Sequence, residues 1–255
     1  MSDHKAVIDI AVIGGTGLYQ LEGLQELERR TLQTIWGEPS SEIIIAAMHG
    51  NQDASQVAFL ARHGLQHNIP PHKVNYRANL WALKELGVKK IIAVAAVGGI
   101  TEQMSPEAVV IPHQIIDYTY GRKHTFFEDE LDQVTHIDFT EPYSSQLRKD
   151  LLASAAKLSI NACAEGVYAA TQGPRLETAA EVERLKRDGA DIIGMTGMPE
   201  ASLARELGME YACCALVVNW AAGCAGTTVI DHDEMQGIIE KGMGQVKSIL
   251  LDQLQ

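Results

Sequence analysis

Long apolar runs are lacking near the start of the chain, and no leader or membrane span is expected there. The apolar stretch Ile8 to Ile13 is interrupted by Asp9 and ends in Gly14-Gly15, far short of the about 20 residues that a spanning helix needs. A cytoplasmic protein is therefore expected. Cysteine is scarce: Cys163, Cys213, Cys214 and Cys224 make no C-x-x-C pair. Neighbouring Cys213 and Cys214 would face opposite sides of a strand, so reduced thiols are expected. Positive charge is also short, with 21 Lys and Arg against 33 Asp and Glu and a net charge of -12. Nucleic acids and anionic membranes need an extended basic surface, so neither is expected as a partner. A single small anion is not excluded, because a local cluster of Arg, His and backbone N–H groups outweighs a distant, screened net charge. Glycine and proline are modest at 22 and 8, no tract is of low complexity, and 46% of the residues are hydrophobic. That is enough apolar material for one large core, so a single domain over residues 1–255 is expected.

Periodicity supplies the architecture. Ile8 to Ile13, Val57 to Ala61 and Ile91 to Val97 read as buried strands, the last closed by Gly98-Gly99. Lys73 to Leu86 has helical apolar spacing and a stop at Gly87. A second alternation follows: strand Val167 to Ala170, helix Thr178 to Asp188, strand Asp191 to Gly194, helix Pro199 to Leu207 and strand Ala212 to Val218. Asp233 to Leu254 reads as a closing amphipathic helix, and the polar stretch from Tyr118 to Pro142 as an excursion. Strands alternating with helices predict an α/β fold with a mixed, mainly parallel central sheet flanked by helices. Ligands in such folds bind beyond the carboxyl ends of the strands, which is where chemistry should be sought.

Two turns at such ends carry suitable groups. Gly14-Gly15-Thr16-Gly17 could cradle an oxyanion through backbone N–H groups and the Thr16 hydroxyl, although a tight strand-to-helix turn explains the glycines equally well. It is not the dinucleotide fingerprint, because Leu18 and Tyr19 follow Gly17. Arg62-His63-Gly64 adds a guanidinium fork and an imidazole donor suited to phosphate, with a surface ion pair as the plain alternative. His63, His67 and His72 could suggest a metal, but Pro70-Pro71 breaks any helix that would align them, and no metal is expected.

With these turns in place, the sequence resembles the trimeric purine nucleoside phosphorylase and methylthioadenosine phosphorylase family nearly end to end. The matching segments are IGGTG (13–17), ARHG (61–64), VNYRANLWALK (74–84), AAVGG (95–99), THIDFTEPY (135–143), TQGPRLET (171–178), GMTGMPE (194–200) and VVN (217–219). In detail the chain looks closest to the bacterial methylthioinosine branch, a 6-oxopurine variant. The resemblance implies the nucleoside phosphorylase fold, a homotrimer, purine nucleoside and inorganic phosphate as co-substrates, and no other cofactor. It implies that Thr16, Arg62, His63, the backbone near Ala96 and Thr196 bind phosphate, and that Met195 packs under the ribose. One position departs from the family: Ala95 stands where a Thr or Asn donor is common.

The resemblance also assigns the base site to Glu177, Asn219, Trp220 and Ala221, with Asn219, Glu177 and His63 as catalytic groups. A 6-oxopurine offers an O6 acceptor and an N1–H donor, which a carboxylate at Glu177 and an amide at Asn219 complement. Adenine-type relatives carry Asp at the Asn219 and Ala221 positions and Ser at the Glu177 position. Adenine nucleosides are therefore expected to be poor substrates. At the 5′ end of the sugar, the 5′-hydroxyl enzymes place a His that aligns with His232, which favours inosine or guanosine over methylthioinosine. The segment His136 to Phe139 is expected to reach a neighbouring subunit's sugar pocket.

Overall fold

In the computed structural model the described residues are 8–15, 18, 23–48, 56–129, 131–229 and 232–254, without the side chains at 232 and 234. Among them, eleven strands join one sheet, in the order β2-β3-β4-β1-β5-β10-β9-β7 with β11, β6 and β8 branching from β5. The first half contains β1 (Ile8–Gly14), β2 (Leu24–Arg30), β3 (Ile43–Met48), β4 (Gln56–Ala61), α1 (Tyr76–Glu85), β5 (Lys90–Gly99), β6 (Val109–Val110) and β7 (Gln114–Asp117). The second half contains α2 (Ser145–Lys157), β8 (Ala162–Cys163), β9 (Val167–Ala170), α3 (Ala179–Arg187), β10 (Ile192–Gly194), α4 (Gly197–Glu206), β11 (Glu210–Trp220) and α5 (His232–Gln253). Six strand pairings are parallel and four antiparallel, the mixed, mainly parallel sheet expected.

Alternation along the central strands builds two cores. In β5, Ile91, Ala93, Ala95 and Val97 enter one, with Leu80 and Leu83 of α1 and Leu203 of α4. Ile92 and Val94 enter the other, with Leu147 and Leu151 of α2 and Val246, Ile249 and Leu250 of α5. Cys213 and Cys214 divide between the same two cores and are free thiols. Burying a Leu- or Ile-sized side chain contributes about 1.5–3 kcal/mol, so two clusters of this size fix the sheet between its helices.

Local chemistry sets the helix ends. Asn75 caps α1 by accepting the Ala78 N–H, while Pro71–Lys73 forms a separate 3-10 turn. The helix expected from Lys73 therefore begins at Tyr76. Thr178 and Glu181 form a reciprocal capping box on α3, which satisfies two orphan N–H groups at once. Two strands run longer than the periodicity suggested. β5 continues through Gly98-Gly99, which pair with both β10 and β11. A Cβ on Gly99 would lie 1.8 Å from the Met104 carbonyl oxygen, so the glycines allow a close backbone approach and do not end the strand. β11 runs to Trp220, which places Asn219 inside it. The elements β2, β3, β6, β7, β8 and α2 were not expected from the sequence. The described residues of 118–142 carry no helix or strand, in keeping with an excursion. No helix among the described residues is long and apolar enough to cross a membrane.

Candidate active site

The sheet opens where β5 loses its neighbours on one side. β1 pairs β5 only as far as Ala93, and β10 takes over at Gly98. Between them that edge of β5 has no strand partner among the described residues, and a cavity of about 840 Å³ occupies the space. Ala96 is the one exposed residue in an otherwise covered strand, because it faces this cavity. Arg62 and His63 after β4, Ala95 and Ala96 in β5, Glu177 before α3, Met195 and Thr196 after β10, and Asn219 and Ala221 at the end of β11 all line it. The structure thus brings together most of the residues singled out from the sequence. Thr16 lies outside the described residues, and so does the side chain of His232. Trp220 does not line the cavity among the described residues. Alternation turns its side chain away from Asn219, and its backbone carbonyl, which accepts the Asn219 amide at 2.7 Å, is what it offers.

Asn219 reaches the cavity because of a β-bulge. The register of β11 against β5 shifts between Val217 and Asn219, so Val218 is an extra residue. Consecutive side chains of a regular strand point to opposite faces, yet Val218 and Asn219 both line the cavity. The bulge re-aims one of them, a use for which bulges next to sites are known. One Nδ2 hydrogen of Asn219 is held by Trp220, leaving the other and the Oδ1 acceptor for a ligand.

Glu177 lines the same cavity with one oxygen already placed: the Thr171 hydroxyl donates to its Oε1 at 2.6 Å. It does not serve the α3 N-terminus, which Thr178 and Glu181 cap between themselves. The carboxylate is thus oriented from behind, with Oε2 open to a donor. Met195 packs on the same loop, and a Cβ on Gly173 would fall 2.4 Å from its Sδ.

The anion-facing residues differ from the sequence expectation in two respects. Arg62 is 2% exposed and is not a free fork. Its Nε and Nη2 grip the two Glu200 oxygens at 2.7 Å each, and further bonds go to Val94 O at 3.0 Å and Ile13 O at 3.4 Å. Burial works against its charge, but Glu200 more than offsets this and raises its pKa. Tyr211 also donates to Glu200 at 2.9 Å. One Nη1 hydrogen remains, so Arg62 offers an anion a single N–H and a buried positive charge. The fork is spent on Glu200 because an unpaired buried guanidinium would cost several kcal/mol.

His63 differs as well. Its Nδ1 lies 2.8 Å from the Ile69 carbonyl oxygen, an acceptor, so Nδ1 carries the hydrogen. Burial, then the Arg62 charge, pushes its pKa down to about 4. At neutral pH the ring is uncharged and its Nε2 is an acceptor, not the donor expected. Thr196 stands at the start of α4 with no capping bond from its side chain, and its N–H reaches Tyr168 Oη at 3.4 Å. Ala95 presents only a methyl group, so on β5 any donor to an anion comes from backbone N–H groups along the open edge.

The His63 and His67 rings lie 4.9 Å apart, tilted by 43°, and no group of three or more His, Cys, Asp or Glu among the described residues could hold a metal ion. Sequence reasoning missed a third wall. From α5, Met235, Ile239 and Met243 line the cavity at four-residue intervals, an apolar stripe on one helix face flanked by Gln236 and Lys247. It also missed the buried Glu200 and Arg122. Glu200 lay within a quoted motif, and the i, i+4, i+8 spacing of the stripe was a legible signal.

Comparison with known proteins places the chain in a family. The phosphorylase superfamily profile matches residues 9–254. A probable S-methyl-5'-thioinosine phosphorylase of Pseudomonas syringae pv. tomato is 56% identical over 240 residues, covering 94% of this chain and 96% of that one. A 6-oxopurine nucleoside phosphorylase of Pyrococcus furiosus is 44% identical over 247 residues, covering 95% and 90%. Among solved structures, methylthioadenosine phosphorylase from Schistosoma mansoni in complex with adenine superposes with a TM-score of 0.88 at 33% identity, covering 96% of this chain and 90% of that one.

Proposed function

The chain belongs to the phosphorylase superfamily, and from that premise we propose that it cleaves S-methyl-5'-thioinosine with inorganic phosphate, giving hypoxanthine and 5-methylthioribose 1-phosphate. The observation that carries the methylthio end is the apolar stripe of Met235, Ile239 and Met243 in the cavity wall, a surface that favours a thioether over a hydrated hydroxyl. The likeness to the Pseudomonas protein supports the same choice. The 6-oxo preference rests on Glu177 and Asn219. Glu177 Oε2 accepts the purine N1–H while Asn219 donates to O6 or N7. An adenine ring has no N1–H and leaves the carboxylate facing a lone pair, a heavy penalty in a partly desolvated site.

In the proposed reaction the C1′–N9 bond loosens to an oxocarbenium-like sugar as a phosphate oxygen bonds to C1′. The P–OH group of HPO4²⁻ donates a hydrogen bond to the neutral His63 Nε2. As the C1′–O bond forms, the phosphate ester gives up that proton to solvent and the departing purine anion takes one up from solvent, so the count balances. Asn219 stabilises the negative charge developing on the purine, and the phosphate stabilises the positive sugar. Catalysis is then positional and electrostatic, with no metal, organic cofactor or covalent enzyme intermediate.

A second reading, inosine or guanosine as substrate, is favoured by the polar His67 and Asn68 in the cavity wall and by the Pyrococcus relative. Turnover of methylthioinosine, inosine, guanosine and methylthioadenosine, each with and without phosphate, separates the readings. Methylthioinosine is expected to lead inosine by at least about tenfold in kcat/KM, roughly what 1.4 kcal/mol of apolar contact supplies, with methylthioadenosine last. Equal rates on inosine would favour the second reading, and phosphate-independent cleavage would overturn both. We also read the assembly as a homotrimer with His136 to Phe139 at a neighbour's site. The light-scattering mass of the same preparation is expected at three times the 27.8 kDa of one chain.

A further inference from the structure

Arg122 lies in the irregular excursion after β7, outside every motif read from the sequence, and is 8% exposed. Nothing acidic pairs with it among the bonds it makes. Its Nη1 donates to Met195 O at 2.8 Å and Met198 O at 2.6 Å, with the Tyr76 hydroxyl oxygen at 3.3 Å. Its Nη2 donates to Thr171 O at 3.1 Å and Gln172 O at 2.8 Å, and its Nε to Gln172 Oε1 at 3.2 Å. A guanidinium has five N–H groups in a fixed plane, and here strong acceptors take all five.

These acceptors come from two separate loops. Thr171 and Gln172 begin the loop that carries Glu177, and the Thr171 hydroxyl orients that carboxylate. Met195 directly precedes Thr196, the residue before α4, and Met198 lies in the kinked start of α4, where its backbone is non-helical. We propose that Arg122 is a positioning residue that staples the base-side loop to the ribose- and phosphate-side turn, fixing the distance between the two halves of the site. This rests on the reading of the cavity as a nucleoside phosphorylase site. A planar five-donor cation suits that role, whereas a lysine has three donors from one point and cannot serve carbonyls spread over two loops. Reaction geometry is sensitive to such placement, since a misplacement of about 1 Å costs about a hundredfold in rate.

The test replaces Arg122 with Met and, in parallel, with Lys, and measures kcat and both KM values on the best nucleoside of the panel. Thermal unfolding of each variant checks that it is folded at the assay temperature. A staple predicts that kcat falls at least thirtyfold in Arg122→Met while the phosphate KM moves less than threefold, because each ligand still finds its own half-site. Arg122→Lys should recover part of that loss. A kcat within threefold of the parent in a folded Arg122→Met overturns the proposal, and so does a loss matched in size by the fall in folded fraction. If Arg122→Met does not fold, Arg122→Lys decides by the same criteria, with a fivefold fall in kcat as its threshold. Hydrogen exchange of the parent and variants gives a readout independent of substrate. Amides of 171–178 and 194–197 should exchange at least tenfold faster without the guanidinium, and unchanged protection there overturns the staple even if the parent turns over none of the four nucleosides.

Discussion

The imidazole of His63 donates from Nδ1 to the Ile69 carbonyl oxygen at 2.8 Å, and burial beside Arg62 keeps the ring neutral. What it presents to the cavity is therefore a lone pair. Of the phosphate species present near neutral pH, HPO4²⁻ carries one P–OH able to donate to that nitrogen. An asparagine at this position can still donate Nδ2–H toward Ile69 O but has nothing to offer where Nε2 stood. His63→Asn is thus expected to raise the phosphate KM about tenfold or more, the equivalent of the 1.5–3 kcal/mol typical of hydrogen bonds to charged groups, and to leave the nucleoside KM nearly unchanged. Initial rates with phosphate varied at saturating nucleoside check this, and an unaltered phosphate KM removes His63 from the anion site. Arg62 contributes differently. With its fork committed to Glu200, it supplies a fixed positive potential and one N–H, so its effect on an anion is more electrostatic than chelating.

Among the elements, β5 and β11 decide where the site can be. β5 needs Gly99 because the Met104 carbonyl oxygen sits where a Cβ would be, at 1.8 Å, with a Val217 methyl 3.1 Å away on the other side. Gly99→Ala must push back a backbone turn, since no flexible side chain is there to give way. A loss of about 1–3 kcal/mol is expected, read as a lower urea midpoint with unchanged m-value. The kcat should fall as well, because Gly99 is paired to Trp220 beside the bulge. A midpoint equal to the parent's would mean that the backbone approach is looser than 1.8 Å implies. The same two strands mark how far the fold could be read in advance. Apolar strands and capped helices such as β9 and α3 announce themselves by composition and cap, and they stand where expected. β2, LQELERR, is largely exposed and, among the described residues, pairs only with β3. An edge strand with little to bury has no hydrophobic rhythm to detect. The site followed the same division. Glu177, Thr196 and Asn219 were legible as chemistry in motifs. The bulge, the Arg62–Glu200 pair and the Arg122 staple are contacts between segments dozens of residues apart, many of them to backbone carbonyls, which leave no mark in local sequence.

Across the whole molecule, burial of ionisable groups gives stability a pH window. On the acid side, His63 is held at about 4 against an ordinary value near 6.5. Its contribution is present above pH 6.5 and lost as pH falls toward 4, at most about 3 kcal/mol and less after solvent screening. The alkaline side is steeper. Burial raises the pKa of Tyr76, Tyr143, Tyr168 and Tyr211 and of Cys213 and Cys214. The unfolded chain releases these protons from about pH 9 upward while the folded one keeps them, so stability falls as pH rises. Each fully released proton costs about 1.4 kcal/mol per pH unit. Six together can exhaust a typical 5–15 kcal/mol of stability within one or two units above pH 10.5. Tyr143 offers a clean test, because its hydroxyl is buried without a hydrogen-bond partner among the described residues while its ring stacks on Tyr211 at 6.0 Å. Tyr143→Phe keeps the ring contact and removes an unsatisfied polar group. It should be as stable as the parent or more so at pH 7, and its stability should fall less steeply above pH 10.5 by about 1.4 kcal/mol per unit. Urea unfolding at a series of pH values gives both quantities. An alkaline slope identical to the parent's would mean that the Tyr143 hydroxyl ionises as readily in the fold as in the unfolded chain, contrary to its place between the helices and the sheet.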